Sequence, residues 1–274
     1  MSTMRHTAKV ALVTGAGAGI GRSTARLLAS EGARLIIADI NSKLGDETVS
    51  LIQKGGGRAL FVEMDVSVSK QVQEATATGV EKFGRLDILV NNAGVAIPHG
   101  TITEVPEETW DRILDINLRG NFLCSKYAIP HMVRSKKKGG KAIVNIASVA
   151  GLFGEPNAVS YCASKGGVIA FTRALAMDCA PLGIRANCIC PGAVMTPLQE
   201  RWYATHKDPK ATEEIYNHAY PLRRIAKPEE VGRLVSFLAS EEASFITGAS
   251  YLIDGGMYSQ NPEALVERID GTIL

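Results

Sequence analysis

Residues 10–21 decide the fold of this chain, and they read VALVTGAGAGIG. A short apolar run ends at Thr14, and a glycine-rich stretch then leads into an amphipathic segment that begins at Ile20. This order predicts a buried strand, a tight turn and a helix, because glycines permit the turn and let backbone N–H groups approach a diphosphate at the helix N-terminus. The glycine spacing is T-G-x-x-x-G-x-G, which does not fit the common dinucleotide fingerprint G-x-G-x-x-G in any register. A purely structural turn is the alternative.

Apolar runs and amphipathic segments alternate along the rest of the chain, which indicates βαβ units around a parallel sheet. Seven strands are predicted, at 9–14, 34–39, 59–63, 86–91, 142–146, 185–190 and 250–253. Six helices are predicted between them, at 20–30, 43–54, 70–83, 107–132, 158–180 and 228–239. We therefore expect an α/β fold with a single doubly wound (Rossmann-type) seven-stranded parallel sheet and helices on both faces.

The length of 274 residues suits either one large domain or two smaller ones. We expect residues 1–274 to form a single dinucleotide-binding and catalytic domain, because the candidate cofactor and catalytic residues interleave along one sheet. Two stretches interrupt the alternation. Residues 193–226 carry several aromatic side chains and are predicted to form a substrate lid; a surface helix pair whose aromatic side chains pack inwards is the alternative. Residues 257–274 are predicted to form a C-terminal tail that frays or docks on another subunit.

The composition argues against several classes of partner and site. Thirty basic and twenty-eight acidic residues give a net charge of +2, so neither a nucleic acid nor an anionic membrane is an expected partner. The apolar run near the N-terminus is too short for a signal peptide or a membrane span, which favours a cytoplasmic location. Five cysteines without a C-x-x-C pair indicate reduced thiols and no metal site.

Asp39 ends the second predicted strand, eighteen residues after Gly21. A carboxylate at this position can accept hydrogen bonds from the adenosine ribose of a dinucleotide and would repel the 2′-phosphate of NADP. Neither Ala18 in the turn nor Ile40 after the strand supplies a compensating cation, and Arg22 lies on the helix beyond the turn. The charge pattern favours NAD, and a simple strand-end cap is the alternative role for Asp39.

Tyr161 and Lys165 stand four residues apart at the start of a predicted helix, so their side chains share a face. An ammonium beside a phenol is expected to lower the phenol pKa from about 10 and to make a better general base. Ser148 stands thirteen residues before Tyr161, at the carboxyl end of a strand, where open α/β sheets bind their ligands. Its hydroxyl can hold a substrate oxygen against the phenol. Asn117 is unusual inside a helix, and we interpret it as holding a water near Lys165.

These residues together resemble the short-chain dehydrogenase/reductase family in its single-domain form. The resemblance covers about residues 8–256 and rests on these motifs: Thr14-Gly15-(x)3-Gly19-Ile20-Gly21, Asp65-Val66, Asn91-Asn92-Ala93-Gly94, Asn117, Ser148, Tyr161-Cys162-Ala163-Ser164-Lys165, Pro191-Gly192-Ala193-Val194-Met195-Thr196 and Asp254-Gly255-Gly256.

The resemblance implies a role for each matched residue. Tyr161 is the implied general acid/base, Lys165 binds the nicotinamide ribose and lowers the tyrosine pKa, Ser148 positions the substrate oxygen, and Asn117 completes a water-linked proton relay. The implied cofactor-binding residues are Gly15, Gly19, Ile20, Gly21, Asp39, Asp65, Val66, Asn92, Ala93, Gly94, Tyr161, Lys165, Val194 and Thr196. The family also implies a homotetramer or homodimer in which the two long helices, at 107–132 and 158–180, pair across two-fold axes.

Three functions remain open from the sequence. The first is an NAD-dependent oxidoreductase that moves hydride between a secondary alcohol, small and polar, polyol or cyclic, and the nicotinamide. The second is an NADPH-dependent 3-oxoacyl-type carbonyl reductase, which Asp39 opposes. The third is a non-catalytic NAD(H)-sensing protein, which the complete catalytic set opposes. Candidate walls of the substrate pocket are residues 97, 99, 150, 152, 153, 155 and 192 and the lid from 198 to 220.

Overall fold

The structure, a computed structural model that describes residues 4–98, 100–135 and 140–269, is built around one seven-stranded sheet. The strands are β1 (Val10–Thr14), β2 (Arg34–Asp39), β3 (Arg58–Glu63), β4 (Ile88–Asn91), β5 (Lys141–Ile146), β6 (Ile184–Pro191) and β7 (Ser250–Ile253). All neighbouring strands are parallel, in the order β3-β2-β1-β4-β5-β6-β7. The predicted doubly wound parallel sheet is confirmed. Its strand order reverses between β1 and β4, the point where such sheets bind ligands.

Helices cover both faces of this sheet. They are α1 (Gly19–Ser30), α2 (Ser42–Lys54), α3 (Ser69–Phe83), α4 (Glu107–Leu114), α5 (Gly120–Arg134), α6 (Val159–Cys179), α7 (Pro197–Tyr203), α8 (Pro209–Ala219), α9 (Pro228–Ala239) and α10 (Pro262–Ile269). Apolar residues of α3, α5 and α6 form one buried cluster with one side of the sheet, and those of α1, α2 and α9 form a second with the other side.

The central strands are buried on both faces, as their continuous apolar runs predict. Along β1, Val10 and Leu12 belong to the α3–α5–α6 cluster, whereas Ala11 and Val13 belong to the α1–α2–α9 cluster. This alternation follows from the two-residue period of a strand. Because both faces are covered, the carboxyl edge is left as the place where ligands can reach the sheet.

The helix predicted at 107–132 is interrupted in the structure. Residues Asp115–Arg119 form a π-helical segment between α4 and α5, in which the Gly120 N–H donates to the Asp115 carbonyl five residues earlier. The Asn121 side chain donates a hydrogen bond of 2.7 Å to the Asn117 carbonyl oxygen. Hydrophobic periodicity could not show this single-turn widening, and such π segments are frequent at functional sites.

Residues 193–226 form an excursion closed at its base by a parallel bridge between Val194 and Ala226. This excursion, which we call the lid, contains α7 and α8. The tail continues through a 3₁₀ turn (Met257–Ser259) into α10, and the Gln260 side chain donates a hydrogen bond of 3.0 Å to the carbonyl of Ala219 at the end of α8. The described part of the tail therefore packs on this chain's own lid instead of fraying; residues 270–274 lie outside the described range.

The cysteines and the helices give two further observations. All five cysteines are free thiols, four of them buried. Within the described ranges, no helix is long and apolar enough to cross a bilayer.

Candidate active site

A cleft of about 720 Å³ opens at the carboxyl edge of the sheet. This volume lies within the usual range of ligand pockets. The cleft runs from Asp39, at the end of β2, across the glycine-rich turn to Ser148 and Tyr161 beyond β5. The predicted residues that line it are Gly15, Gly19, Ile20, Asp39, Asp65, Val66, Asn92, Ala93, Gly94, Ser148, Tyr161, Lys165, Val194 and Thr196. Gly21 and Asn117 are not part of its wall.

The glycine-rich turn packs closely against neighbouring residues at the start of α1. Gly15 and Gly19 have positive φ angles of 60° and 51°, which side chains disfavour. A Cβ at Gly15 would lie 2.9 Å from the Cα of Ala93. Ala18, the N-cap residue, makes no side-chain hydrogen bond to the first turn of α1, so the N–H groups of that turn remain available to an anion. These features fit the diphosphate of a dinucleotide.

Gly21 supports the turn from behind instead of facing the cleft. A Cβ there would lie 2.2 Å from the Gly15 carbonyl oxygen and 2.5 Å from the Asn92 amide nitrogen. The missing side chain therefore lets α1 pack directly against the turn. The glycine motif predicts Gly21 at the cofactor, but the motif alone does not distinguish glycines that face the ligand from glycines that face the protein.

The loops after β1 and β4 are joined by a set of short hydrogen bonds. Thr14 Oγ1 accepts from the backbone N–H groups of Asn92 and Ala93, both at 3.0 Å. The Asn92 side chain donates to the carbonyls of Thr14 and Gly15, at 2.9 and 3.0 Å. These bonds fix the Asn92–Gly94 backbone along the floor of the cleft.

Asp39 occupies the end of the cleft where an adenosine ribose is expected. Its Oδ2 accepts a hydrogen bond of 2.8 Å from the Gly17 N–H, and its Oδ1 accepts one of 2.9 Å from Asn41. The carboxylate therefore both caps the strand end, the alternative role considered above, and faces the cleft.

Arg22 is a cation in the cleft wall, and its guanidinium is held by other groups. Its guanidinium donates to Thr48 Oγ1 at 3.0 Å, to the Leu44 carbonyl at 3.3 Å and to the Glu47 carboxylate at 3.1 Å. Glu47 also neutralises its charge in part. Arg22 consequently supplies less positive charge to the surroundings of Asp39 than a free arginine in the cleft wall would.

The opposite end of the cleft brings Ser148, Tyr161 and Lys165 together. Tyr161 lies in the first turn of α6, and Lys165 follows one turn later with its Nζ 5.7 Å from the centroid of the Tyr161 ring. The Lys165 Nζ donates a hydrogen bond of 2.9 Å to the Ile146 carbonyl at the end of β5. Ser148 Oγ accepts from the Ala150 N–H at 3.1 Å. The predicted juxtaposition of these three side chains is present in the structure.

Burial is the main cause of the shifted pKa values of Tyr161 and Lys165. It raises the pKa of Tyr161 to about 12, although a hydrogen bond with Ser148 opposes the rise. It also lowers the pKa of Lys165 to about 8. The overall pKa of Tyr161 is thus raised, whereas the spacing to Lys165 predicts a lowered one, because burial disfavours the phenolate.

Asn117 is completely buried and acts from behind the cleft. Its Oδ1 accepts from the Val95 N–H at 2.8 Å, and its Nδ2 donates to the Val95 carbonyl at 2.9 Å and to Ser164 Oγ at 3.1 Å. A Cβ at Gly94 would lie 3.2 Å from Asn117 Oδ1 and 3.5 Å from Lys165 Nζ, so both side chains lie against Gly94. The side-chain amide of Asn117 is thus engaged with protein groups.

Several wall residues were missed by the sequence reasoning. They are Leu44, Met64, Val95, Arg112, Ile116 and Ile146. Met64 directly precedes Asp65 after β3, and Ile146 is the last residue of β5. Both lie at the carboxyl edge of the sheet, so their position at a strand end is the sequence signal that would have predicted them. Arg112 lies one turn before Ile116, and only the packing of α4 against α6 and the π-helical segment shows that it reaches the cleft.

The lid contributes polar residues to the cleft and keeps its aromatic rings together. Leu198, Gln199 and Arg201 of α7 line the cleft. The Trp202 ring instead packs against Tyr216, with centroids 4.9 Å apart. These aromatic rings of the lid therefore pack against each other, as the alternative interpretation of residues 193–226 predicts. Of the predicted substrate-side walls, residue 192 lines the cleft, and residue 99 lies outside the described range.

The fold and the cleft define a class of protein: a dinucleotide-binding α/β oxidoreductase with a tyrosine–lysine–serine site. Comparison with known families agrees, since a family model described as Enoyl-(Acyl carrier protein) reductase matches residues 15–258. The chain belongs to the short-chain dehydrogenase/reductase family, whose enzymes use nicotinamide cofactors.

Individual relatives cover almost the whole chain. The meso-2,3-butanediol dehydrogenase of Serratia marcescens is 40% identical over 253 residues, which are 92% of this chain and 96% of that protein. A 3-oxoacyl-[acyl-carrier-protein] reductase of Thermotoga maritima is 39% identical over 254 residues, 93% of this chain and 99% of that protein. The solved structure of levodione reductase superposes with a TM-score of 0.89 at 33% identity and covers 94% of this chain and 100% of its own.

Proposed function

We propose that the protein is an NAD-dependent dehydrogenase that moves hydride between a secondary alcohol and the nicotinamide, with Tyr161 as general acid/base. The single observation that carries this proposal is the continuous cleft, which joins Asp39 at one end to Ser148, Tyr161 and Lys165 at the other. A nicotinamide dinucleotide, when bound, supplies the hydride acceptor or donor. The cradle at Gly15 and Gly19 and the open N-terminus of α1 are suited to its diphosphate.

The residues of this chain would handle the proton and the orientation of the substrate. Ser148 holds the substrate oxygen, and Tyr161 removes the hydroxyl proton during oxidation or returns it during reduction. Lys165 binds the nicotinamide ribose. Asn117 would complete a water-linked proton relay through Lys165, and its three hydrogen bonds hold it to Val95 and Ser164. Gly21 supports the cofactor site through the shape of the turn.

NAD is the proposed cofactor because of the charges around Asp39. A 2′-phosphate would meet this carboxylate, and Arg22 is already engaged with Thr48 and Glu47. The NADPH-dependent 3-oxoacyl-type reductase remains the second candidate, favoured by the named function of the Thermotoga maritima relative. A non-catalytic NAD(H)-sensing role is the third, and the retained Ser148–Tyr161–Lys165 set opposes it.

The proposed substrate is a small polar, polyol or cyclic secondary alcohol. The name of the Serratia marcescens relative supports a diol, and the polar residues Gln199 and Arg201 on the cleft side of α7 are compatible with a hydroxylated substrate. We also propose that residues 1–274 act as one domain, with 193–226 as the substrate lid and 257–274 as a tail, since the cofactor and catalytic residues come from one sheet.

A homotetramer, or a homodimer, is proposed as the working assembly in a reducing cytoplasm. Phe122 and Val133 on α5 are 46% and 45% exposed, and Met177 on α6 is 62% exposed. Large apolar side chains on these two helices are suited to a partner subunit. The five free thiols agree with a reducing compartment. Light scattering at micromolar concentration should give a mass above that of one chain.

A cofactor and substrate matrix tests the proposed activity. Reduced cofactor is followed by its absorbance with NAD or NADP and a panel of secondary alcohols, and with NADH or NADPH and the matching ketones and a 3-oxoacyl thioester. We expect the highest kcat/KM with NAD and a secondary alcohol. NADPH with the thioester as the best pair would support the second candidate, and binding of NADH without any turnover would support the third.

A further inference from the structure

A buried chain of hydrogen bonds links the start of α5 to the catalytic helix α6. At one end, Asn121 Nδ2 donates a bond of 2.7 Å to the carbonyl oxygen of Asn117. Asn117 Nδ2 donates one of 3.1 Å to Ser164 Oγ, and Ser164 Oγ donates one of 2.7 Å to the Tyr161 carbonyl. The chain therefore runs from the first turn of α5 to the first turn of α6, which carries the proposed general acid/base.

The three side chains of this chain are shielded from solvent. Asn117 and Ser164 are fully buried, and Asn121 is nearly so. A hydrogen bond in such surroundings is stronger than one in water, and a buried group that loses its partner pays the full cost of desolvation. The loss of the donor at Asn121 is therefore expected to disturb the groups that follow it in the chain.

Asn117 transmits such a disturbance to the cleft as well as to α6. Its side chain binds both backbone groups of Val95, a residue of the cleft wall, at 2.8 and 2.9 Å. It also lies against Gly94, on which Lys165 Nζ converges. The orientation of Asn117 consequently bears on the cleft floor and on the surroundings of the ammonium.

Asn121 fixes the turn from which Asn117 projects. The backbone of this turn is widened, because the Gly120 N–H donates to the Asp115 carbonyl five residues earlier. The Asn121 side chain instead reaches back four residues, the span of a regular α-helical bond, to the Asn117 carbonyl. A side-chain bond thus braces the widened turn at Asn117 itself.

The other end of the Asn121 amide shows that folding alone does not explain this residue. Its Oδ1 is buried and has no hydrogen-bond partner among the described residues. Burying an unpaired amide oxygen disfavours folding, and an apolar side chain of similar size would avoid that cost. The Nδ2 donor is the part of the side chain that the surrounding structure engages.

We propose that Asn121 is a positioning residue: its Nδ2 holds the Asn117 carbonyl and thereby the Asn117–Ser164 bond that keeps Tyr161 in place. Asn121 itself does not line the cleft, so it acts only through these neighbours. The inference rests on the proposed alcohol dehydrogenase function, and it also predicts a change in the protein that is independent of turnover.

The test uses Asn121→Thr and Asn121→Val, two side chains of the same shape of which only threonine carries a hydroxyl. A helical threonine can donate to the carbonyl four residues earlier, as Thr172 does to the Val168 carbonyl at 2.7 Å. Thr76→Val is the control for the exchange itself. Thr76 is buried in α3, and its hydroxyl has no partner among the described residues.

The activity readout is kcat and KM for butane-2,3-diol with NAD. We expect Asn121→Val to lower kcat about 10-fold and to leave both KM values within about twofold, because the lost bond misplaces the reacting group and spares the binding surfaces. Asn121→Thr and Thr76→Val should keep about half or more of the wild-type kcat. A fully active Asn121→Val, an equal loss in the threonine variant, or a loss confined to KM would overturn the inference. Asn121→Ser and Asn121→Ala supply the same comparison if the first pair does not fold.

Hydrogen–deuterium exchange gives the readout that needs no turnover. Peptides that cover residues 93–97 and 159–166 should exchange faster in Asn121→Val than in Asn121→Thr, because the valine leaves Asn117 without its brace. Peptides that cover β2 should be the same in both. Equal exchange of the two variants at 93–97 and 159–166 would also refute the inference. Failure of the proposed function is distinguishable: the wild type would then oxidise no alcohol, and the exchange comparison would still show whether Asn121 holds the turn.

Discussion

The Nζ atom of Lys165 lies 5.7 Å from the centroid of the Tyr161 ring, so a buried ammonium faces the ring of the proposed general acid/base. Burial raises the pKa of Tyr161 to about 12 and lowers that of Lys165 to about 8. Each ionised form is therefore disfavoured by its surroundings. A site arranged in this way sacrifices folding stability to keep two reactive groups away from water.

Tyr161→Phe tests the proton transfer directly. The phenylalanine keeps the ring that faces Lys165 and removes only the hydroxyl. We expect kcat to fall about 10²- to 10⁴-fold, the usual contribution of a general acid/base. NADH affinity, measured by fluorescence titration, should stay close to that of the wild type. Tyr251→Phe removes a hydroxyl from β7, outside the cleft wall, and should leave kcat unchanged; a fully active Tyr161→Phe enzyme would contradict the assignment.

Lys165→Met should stabilise the protein at neutral pH while it removes activity. Lys165 is 4% exposed, and its lowered pKa means that the folded state resists protonation of the amine. We expect the free energy of unfolding at pH 7 to rise by about 1–3 kcal/mol, the cost that the buried charge imposes.

The pH dependence gives this prediction a second readout. The wild type should gain stability relative to Lys165→Met as the pH rises from about 8 toward the value of an unperturbed lysine, 10.5, because the folded amine loses its proton first. Urea unfolding of both proteins at several pH values measures the difference. A variant that is less stable than the wild type at pH 7 would show that the Lys165–Ile146 hydrogen bond outweighs the desolvation of the ammonium.

Asp39→Ala should weaken the preference for NAD. The substitution removes a negative charge from the expected position of a 2′-phosphate, and we expect the ratio of kcat/KM for NAD over NADP to fall about 10- to 100-fold. Adding Glu47→Ala should lower the ratio further, because it frees Arg22 from its carboxylate partner at 3.1 Å. Asp46→Ala, an exposed change on the same helix, is the control. Equal use of both cofactors by the wild type would refute the role of Asp39.

Gly21→Ala should distort the cofactor site, although Gly21 itself does not line the cleft. The new Cβ would lie 2.2 Å from the Gly15 carbonyl oxygen, so the turn or α1 must shift. We expect a loss of about 1–3 kcal/mol in the free energy of unfolding and a weaker NADH affinity. Gly55→Ala is the matched control, since a Cβ there meets the nearest atom at 3.4 Å and φ is −82°. Equal stability of the two variants would contradict the packing role of Gly21.

His6 should make the protein sensitive to acid. The imidazole is fully buried, its Nε2 lies 3.0 Å from Ser236 Oγ and 3.4 Å from a Glu31 oxygen, and its Nδ1 has no hydrogen-bond partner among the described residues. Burial and the charge of Lys9 lower the pKa of His6 to about 4.

The lowered pKa of His6 determines how the stability of the protein changes with pH. The unfolded histidine takes up its proton near pH 6.5 and the folded one only near 4, so stability is complete above 6.5 and falls as the pH drops between these values. We expect a loss of about 3 kcal/mol across this window. His6→Gln should flatten the curve, whereas His218→Gln, on the exposed side of α8, should not. Parallel curves for the wild type and His6→Gln would exclude this origin.

Strand-end positions made much of the fold and site predictable. Asp39, Ser148 and the Asn92–Gly94 loop follow buried apolar runs, and parallel strands bring such ends to one edge. The alternation of strand and helix segments likewise gave the seven strands and the confirmed parallel sheet.

Features that depend on packing between elements were not predictable. The π-helical segment at Asp115–Arg119 leaves the apolar period of the chain almost unchanged, so the sequence suggested one helix. The pKa of Tyr161 depends on how many groups surround the phenol, and a four-residue spacing from Lys165 carries no information about burial. Arg112 reaches the cleft because of the position of α4, which no local pattern reports.

The π-helical segment also bears on how insertions and deletions act in this region. It holds one residue more than a regular helical turn, so deleting a single residue from Asp115–Arg119 could restore an unbroken α-helix. Because the Gly120 N–H already bonds to the Asp115 carbonyl, the same deletion would keep α4 and α5 in nearly the same rotational register and leave Arg112 at the cleft. A one-residue gap at this point in a relative would therefore mark the loss of the π turn with α4 and α5 kept in place, whereas the same gap inside a regular helix would rotate its two halves by about 100° against each other.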